Sequence, residues 1–233
     1  MSRIAWDNTG EKLYEVGVDR VVLFVFNGNG GYEKGVGWNG VTAINDSPSG
    51  GEPTKIYANN HTYLTLMSVE ELGLTIEAYT YPDEFMVCDG SMEVGTGTGV
   101  YIGQQSRKHF GIAYRSLIGN DEDGNNHGYK IHVIYDCLAS PSEKQHSTVN
   151  DSPDISPFSW TVSTTPVEMG VTDAQPSAAI EIDSTKVDST ALTSIENLLY
   201  GTNASGTAEG TDPTLPTPAQ LFALVGYTAQ TNG

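Results

Sequence analysis

The segment Glu71–Tyr79 reads ELGLTIEAY, and its alternation constrains the fold more than any other feature of the chain. Leu72, Leu74, Ile76 and Ala78 fall on one side of an extended backbone. Glu71, Thr75, Glu77 and Tyr79 fall on the other. A period of two puts successive side chains on opposite faces of a strand, so this is a half-buried strand with a polar face. Arg20–Phe26 (RVVLFVF) is a second strand, ended by the turn Asn27-Gly28-Asn29-Gly30-Gly31. Gly35–Ala43 reads as its return strand. Phe110–Leu117 and Lys130–Cys137 read as an antiparallel hairpin around the loop Gly119–Gly128. Phe158–Thr165 and Ala178–Ile182 add two more strands.

Helical signals are few. Pro82–Val87 suits a short helix, with Pro82, Asp83 and Glu84 in its first turn. Asp188 can cap a helix that carries Leu192, Ile195 and Leu199 on one face and stops at Gly201. Residues 202–217 are a Gly/Ser/Thr/Pro linker. Thr217-Pro218-Ala219-Gln220 then forms a capping box ahead of Leu221, Phe222, Leu224 and Val225. Ser47–Pro53 has no regular pattern, and Lys55–Met67 holds apolar groups at Ile56, Tyr57, Tyr63, Leu64 and Leu66. The expectation is a mainly β chain with minor α (α+β). Its main domain is 1–201, with an N-terminal arm, and 202–233 is a linker and C-terminal helical arm.

The 233 residues carry 29 acids against 11 bases, a net charge of −18. From Gln145 onward ten acids face the single base Lys186. Such a surface repels phosphate backbones and argues against tight nucleic-acid binding. The loop Asp121–Gly128 fails the EF-hand pattern, because Asn126 and His132 stand where Gly and a bidentate Glu belong. Gly95–Gly99 lacks the Lys-Ser/Thr of a phosphate loop. The five histidines show no HExxH or His-x-His pairing, and there is no G-x-S-x-G elbow. Cys88 and Cys137 read as buried free thiols. Arg107, Lys108 and Arg115 are too sparse for a nucleic-acid site; bases so placed pair with acids across an interface or within the fold, and they are candidates for charge pairs between subunits. The N-terminal residues lack the basic-then-apolar order of a signal peptide, so synthesis in a cytoplasm is expected. No apolar run reaches membrane-spanning length. The residues point to no enzyme, cofactor or metal.

Six strings in order resemble the major tail proteins of siphophages of Gram-positive hosts. They are SPSGGEPTKIYANN (Ser47–Asn60), TIEAYTYPDEFMVCDG (Thr75–Gly90), GQQSRKHFGIAYRSLIGND (Gly103–Asp121), GYKIHVIYD (Gly128–Asp136), NDSPDISPFSWTVSTTPV (Asn150–Val167) and NLLYG (Asn197–Gly201). The resemblance runs from the first strand through residue 201. It implies a β-sandwich or partial barrel with a flanking helix, extended loops and terminal arms. It also implies a homo-hexameric ring stacked into a hollow tube in the virion tail. Partners would be tape measure, tail tip and tail terminator proteins, with double-stranded DNA passing through unbound. Assembly would occur in the host bacterial cytoplasm. The polar face with Glu71, Thr75 and Glu77 is the candidate lumen lining. The segment with Ser47, Gly50, Glu52, Lys55 and Tyr57 is the candidate inter-ring loop, and the two terminal segments are candidate arms. Two other readings stand beside this one. One is a β-sandwich module binding carbohydrate or protein through Trp6, Trp38, Trp160 and tyrosines. The other is the tube subunit of a phage-derived bacteriocin.

Overall fold

A computed structural model describes residues 3–68, 70–146, 148, 156–172, 174–206 and 209–227. Residues 150–155 of the string Asn150–Val167 and the last six residues of 202–233 lie outside the described residues. The protein is mainly β, with a large antiparallel sheet and a sandwich-like build. Fourteen strands follow in chain order: β1 (Tyr14–Val25), β2 (Val36–Gly37), β3 (Val41–Asp46), β4 (Ser49–Gly50), β5 (Pro53–Ala58), β6 (His61–Met67), β7 (Glu70–Glu71), β8 (Gly73–Ala78), β9 (Met92–Glu93), β10 (Tyr101–Ile102), β11 (Phe110–Asn120), β12 (Gly124–Ala139), β13 (Phe158–Thr164) and β14 (Ala179–Asp183). Helices α1 (Ser189–Tyr200) and α2 (Pro218–Leu224) come last.

The main sheet runs β2-β1-β11-β12-β13-β8-β3, with β14 branching from β12. The branch sits on one long strand. Lys130–Ile134 of β12 pair with β14, and Cys137–Ala139 pair with β13. Between them Asp136 has φ 46°, and the register against β11 shifts there, so β12 bends and the sheet divides. β3 returns alongside β1, and Glu15–Val18 face Ile44–Asp46 across a cleft. The result is a rolled sheet that nearly closes.

Two cores follow from this roll. Inside it, Leu23, Leu74, Ile76, Phe110, Ile112 and Trp160 are fully buried with Trp38 and Phe85. Phe85 comes from a 3-10 turn at Asp83–Val87 that plugs one end, and its ring lies 4.4 Å from Trp38 and 5.3 Å from Trp160. On the outside, Val22, Phe24, Ala113, Ile131, Val133 and Ile182 pack against Ile195 and Leu199 of α1 and Leu221 of α2. Arg20–Phe26 therefore lacks alternation because both of its faces are covered. Leu72–Ala78 alternates because only one is.

Local chemistry sets the helix ends. The Asp188 carboxylate accepts the Thr190 and Ala191 N–H groups, and Gly201 ends α1 at φ 74°. Thr217 and Gln220 form the expected capping box of α2. α2 docks on its own sheet, with Leu221 buried in the outer core. Tyr135 Oη donates to Pro216 O at 2.9 Å, and Leu215 fills the space over Gly111, where an added Cβ would lie 2.3 Å from it.

Three local expectations are corrected. Gly35–Ala43 is not one return strand, because Val36–Gly37 pair with β1 and Val41–Asp46 cross to β8. The loop Gly119–Gly128 is largely strand, with only Asp121–Asp123 turning. The unpatterned Ser47–Asn60 contains β4 and β5, which pair with β7 and β6. A strand with neither face in a core carries no period-two signal.

Candidate assembly surfaces

Neighbours along the main path are antiparallel, so alternate strand termini meet at each end of the roll. One end carries Tyr14, Asn120, Gly124, Thr164, Gly73 and Asp46. The other carries Val25, Phe110, Ala139, Phe158, Ala78 and Val41.

From the first end projects the two-stranded ribbon β5–β6. Asn59 and Asn60 turn it at φ 50° and 66°, the positive values a tight hairpin turn requires. Register pairs Thr54 with Leu66 and Ile56 with Leu64 on one face. Nearly every ribbon residue is exposed, including Tyr57 and Tyr63 at 66% and Met67 at 73%. A two-stranded ribbon is marginal in water unless something covers it, and such apolar exposure marks a contact surface. At the same end, residues 3–13 meet the turn at Asn120 and Asp121 through polar contacts. The Gly10 N–H donates to Asp121 Oδ1 at 3.0 Å, and Lys12 Nζ lies 3.6 Å from Asp121 Oδ2. Ile4, Trp6 and Leu13 remain exposed.

The opposite end carries the plug and β9–β10. Met92, Val94, Val100, Tyr101 and Ile102 are exposed there, as is Tyr79. Glu93 braces this small ribbon by accepting the Gly99 N–H at 3.1 Å, which holds its carboxyl below the usual range.

The expected site residues fall in separate places. Thr75 and Glu77 lie on the outward face of β8, opposite Thr161 and Ser159 of β13 and Asn45 and Ala43 of β3. The face is small, polar and uncovered by helix. Glu71 is not on it, because it pairs with Ser49 in β7. Ser47 donates its N–H to Gly73 O, Gly50 pairs with Glu70, Glu52 is exposed between β4 and β5, and Lys55 and Tyr57 are ribbon residues. Arg107 and Arg115 have acidic partners within the chain. Arg115 Nε and Nη2 donate to the two Asp19 oxygens at 2.7 and 2.6 Å, and Arg107 lies 3.9 Å from Asp89. The Arg115 hydrogen bonds hold the Asp19 carboxyl below its usual value. Lys108 is exposed.

One polar cluster escaped the sequence reading. At the cleft between β1 and β3, His132 stacks on Tyr114 at 4.6 Å and 13°. Ser116 Oγ donates to Glu15 Oε1 at 2.6 Å and lies 2.8 Å from His132 Nε2. Glu181 Oε2 lies 3.8 Å from His132 Nδ1, and Lys130 bridges Glu15 and Glu181 at 2.9 and 3.0 Å. Burial lowers the His132 pKa against the raising pull of Glu181 and Glu15. Burial also works against the Glu15 carboxylate, but Ser116 and Lys130 outweigh it and its pKa falls. Ser116, His132 and Glu181 have the order of a nucleophile, a base and an acid. The Ser116 hydroxyl donates to Glu15 instead, so its proton is not presented to His132 as in a nucleophile–base pair. The cluster ties strands together. Its members come from four strands, so no local motif could reveal it.

Cys88 and Cys137 are buried free thiols, and burial pushes the Cys88 pKa up to about 12. Among the described residues no group of His, Cys, Asp or Glu could hold a metal, and no helix is long and apolar enough to cross a membrane. No family model matches the chain, and no curated protein matches it.

Proposed function

We propose that this chain is the structural subunit of a phage tail tube. Six copies form a ring, and rings stack into a hollow tube that conducts double-stranded DNA during ejection. The observation that carries the reading is the uncovered β5–β6 ribbon, an apolar element whose stability calls for a neighbour. Apolar surface at the opposite end supplies a second, different contact. Unlike surfaces joined head to tail build rings where rotation closes and filaments where it does not. The resemblance of six strings to major tail proteins points the same way. The net charge of −18 suits a conduit past which DNA slides without sticking. The uncovered face with Thr75, Glu77, Ser159 and Thr161 supports the lumen assignment, and Glu71 drops out of it. On this reading the protein resides in the virion tail. Tape measure, tail tip and tail terminator proteins are its further partners.

A carbohydrate-binding module draws less support, because Trp38 and Trp160 are buried and only Trp6 of the three tryptophans is exposed. Negative-stain electron microscopy of the concentrated protein tests the proposal. Hollow tubes of regular axial repeat with a bore wide enough for a duplex are expected. Monomers that persist even beside isolated tail tips would overturn it.

A further inference from the structure

β1 changes character along its length. Val21–Val25 are buried in the two cores, while Tyr14–Gly17 are exposed. Between these halves Gly17 has φ 77° and Arg20 φ 49°, and the register against β11 shifts on both sides of Asp19. A left-handed arginine is costly backbone, so this bulge is a built bend. Val18 packs on the inner core and Asp19 holds Arg115, which pins the strand at the bend. N-terminal to it only Tyr14, Glu15 and Val16 pair with β11, opposite Gly119, Ile118 and Leu117. We infer that the segment ending at Val16 is a hinged flap on the β1–β3 cleft, which acid lifts off β11 while the rest of the roll stays closed.

Polar side chains latch the flap. Tyr14 Oη donates to Asn125 Oδ1 at 2.8 Å, and Gly10 and Lys12 hold Asp121. The central latch is Glu15. It accepts from Ser116 Oγ at 2.6 Å and from Lys130 Nζ at 2.9 Å, and it lies 3.5 Å from His132 Nε2. His132 stands in the cleft that Glu15–Val18 wall on one side, with Tyr114 of β11 stacked on its ring. Burial lowers the His132 pKa against the pull of Glu181 of β14, Glu15 of β1 and Asp46 of β3, and Lys130 of its own strand adds to the lowering. Lifting the flap removes one wall of the cleft and brings water to the ring, so the open form takes the proton more readily. Opening therefore gains as pH falls from the ordinary histidine value downward. Burial raises the Glu15 carboxyl, but Ser116 and Lys130 outweigh it and hold it below the ordinary carboxylate range. The latch itself is thus lost only in stronger acid, and His132 sets the first step.

Hydrogen exchange of the full chain, read by mass spectrometry, tests the flap. Peptides covering 10–16 and 21–25 are compared at about pH 7.5 and about pH 5.5, each corrected for intrinsic exchange. One proton taken up on opening raises the opening constant by up to about tenfold between these values. Exchange at 10–16 should rise severalfold relative to 21–25, whose protection should hold. His132→Gln should abolish the rise, and His132→Asn serves if circular dichroism shows that glutamine disturbs the fold. Glu15→Gln should open the flap already at the higher pH. An exchange ratio that is the same at both pH values would overturn the inference. So would a rise that persists without His132, because the trigger would then lie elsewhere. A rise shared equally by 21–25 would also overturn it, since the whole roll would be loosening rather than the flap.

Discussion

The hairpins β11–β12 and β5–β6 are built alike and live differently. Both are antiparallel pairs closed by a short turn. The first has strands on both sides, and its alternate residues enter two cores. Ile112 and Ile134 face the roll, while Ala113 and Val133 face the helices. The second has neither neighbours nor a core, and Ile56, Leu64 and Leu66 stay in water. Backbone pairing is common to the two, so the difference in stability must come from side-chain burial. The ribbon marks where the molecule ends as a folding unit and begins as a building part.

Hydrogen exchange should split the two hairpins most widely. Amides of β11–β12 should exchange only through global opening, whereas those of β5–β6 should exchange many-fold faster in the monomer and slow down in the assembled form. Equal protection in the monomer would break the comparison. Next in size, Ile112→Ala should lower stability by about 2–5 kcal/mol in urea melts, the usual cost of a core cavity. Ile56→Ala in the ribbon should change monomer stability by less than about 0.5 kcal/mol.

A smaller effect concerns the pair that ties β1 to β11. The Asp19 carboxyl lies below its ordinary pKa because Arg115 donates to it. Its contribution is present above the ordinary carboxylate pKa and is lost as pH falls through the depressed value. Asp19→Asn should cost about 1 kcal/mol at neutral pH, after screening of a partly exposed pair, and nothing below the depressed pKa. A constant difference across that range would exclude the pair as its source. The smallest effect sits at His132. Its folded pKa is lowered by burial, so the unfolded chain takes the proton more readily. Stability should therefore fall as pH drops through the ordinary histidine value, and His132→Gln should flatten that slope. Glu181, Glu15, Asp46 and Lys130 are the charged groups that act on the ring, the three carboxylates raising its pKa and Lys130 lowering it. An unchanged slope would mean that His132 is not its source.

Much of the fold was legible from local pattern. The alternation of Leu72–Ala78 marked a strand with one buried face, and Leu74, Ile76 and Ala78 are fully buried. Asp188 and Thr217-Gln220 announced both helices, because capping is an exchange between neighbours in sequence. Other features left no local trace. The ribbon strand β5 shows no periodicity, since periodicity records a buried face and this strand has none. Glu71 alternated in step with Thr75 and Glu77, yet a pairing with Ser49 drew it into β7. Arg107 and Arg115 could be seen as cations without partners being visible, because Asp19 lies 96 residues from Arg115.

The sequence by itself determined that Leu72–Ala78 is a strand with one buried face, that Phe110–Leu117 and Lys130–Cys137 extend as a hairpin, where α1 and α2 start, and that the chain is acidic. Each of these depends on residues within a few positions of one another or on a simple sum of charges. The tertiary structure alone decided that β12 bends at Asp136 to serve two branches, that α2 docks on its own sheet, and that Glu15, Ser116, His132 and Glu181 meet at one cleft. It also decided that the ribbon is left bare at one end and the β9–β10 patch at the other. Those outcomes depend on how strands far apart in the chain pair and roll, and pairing across such distances is settled by packing rather than by local propensity.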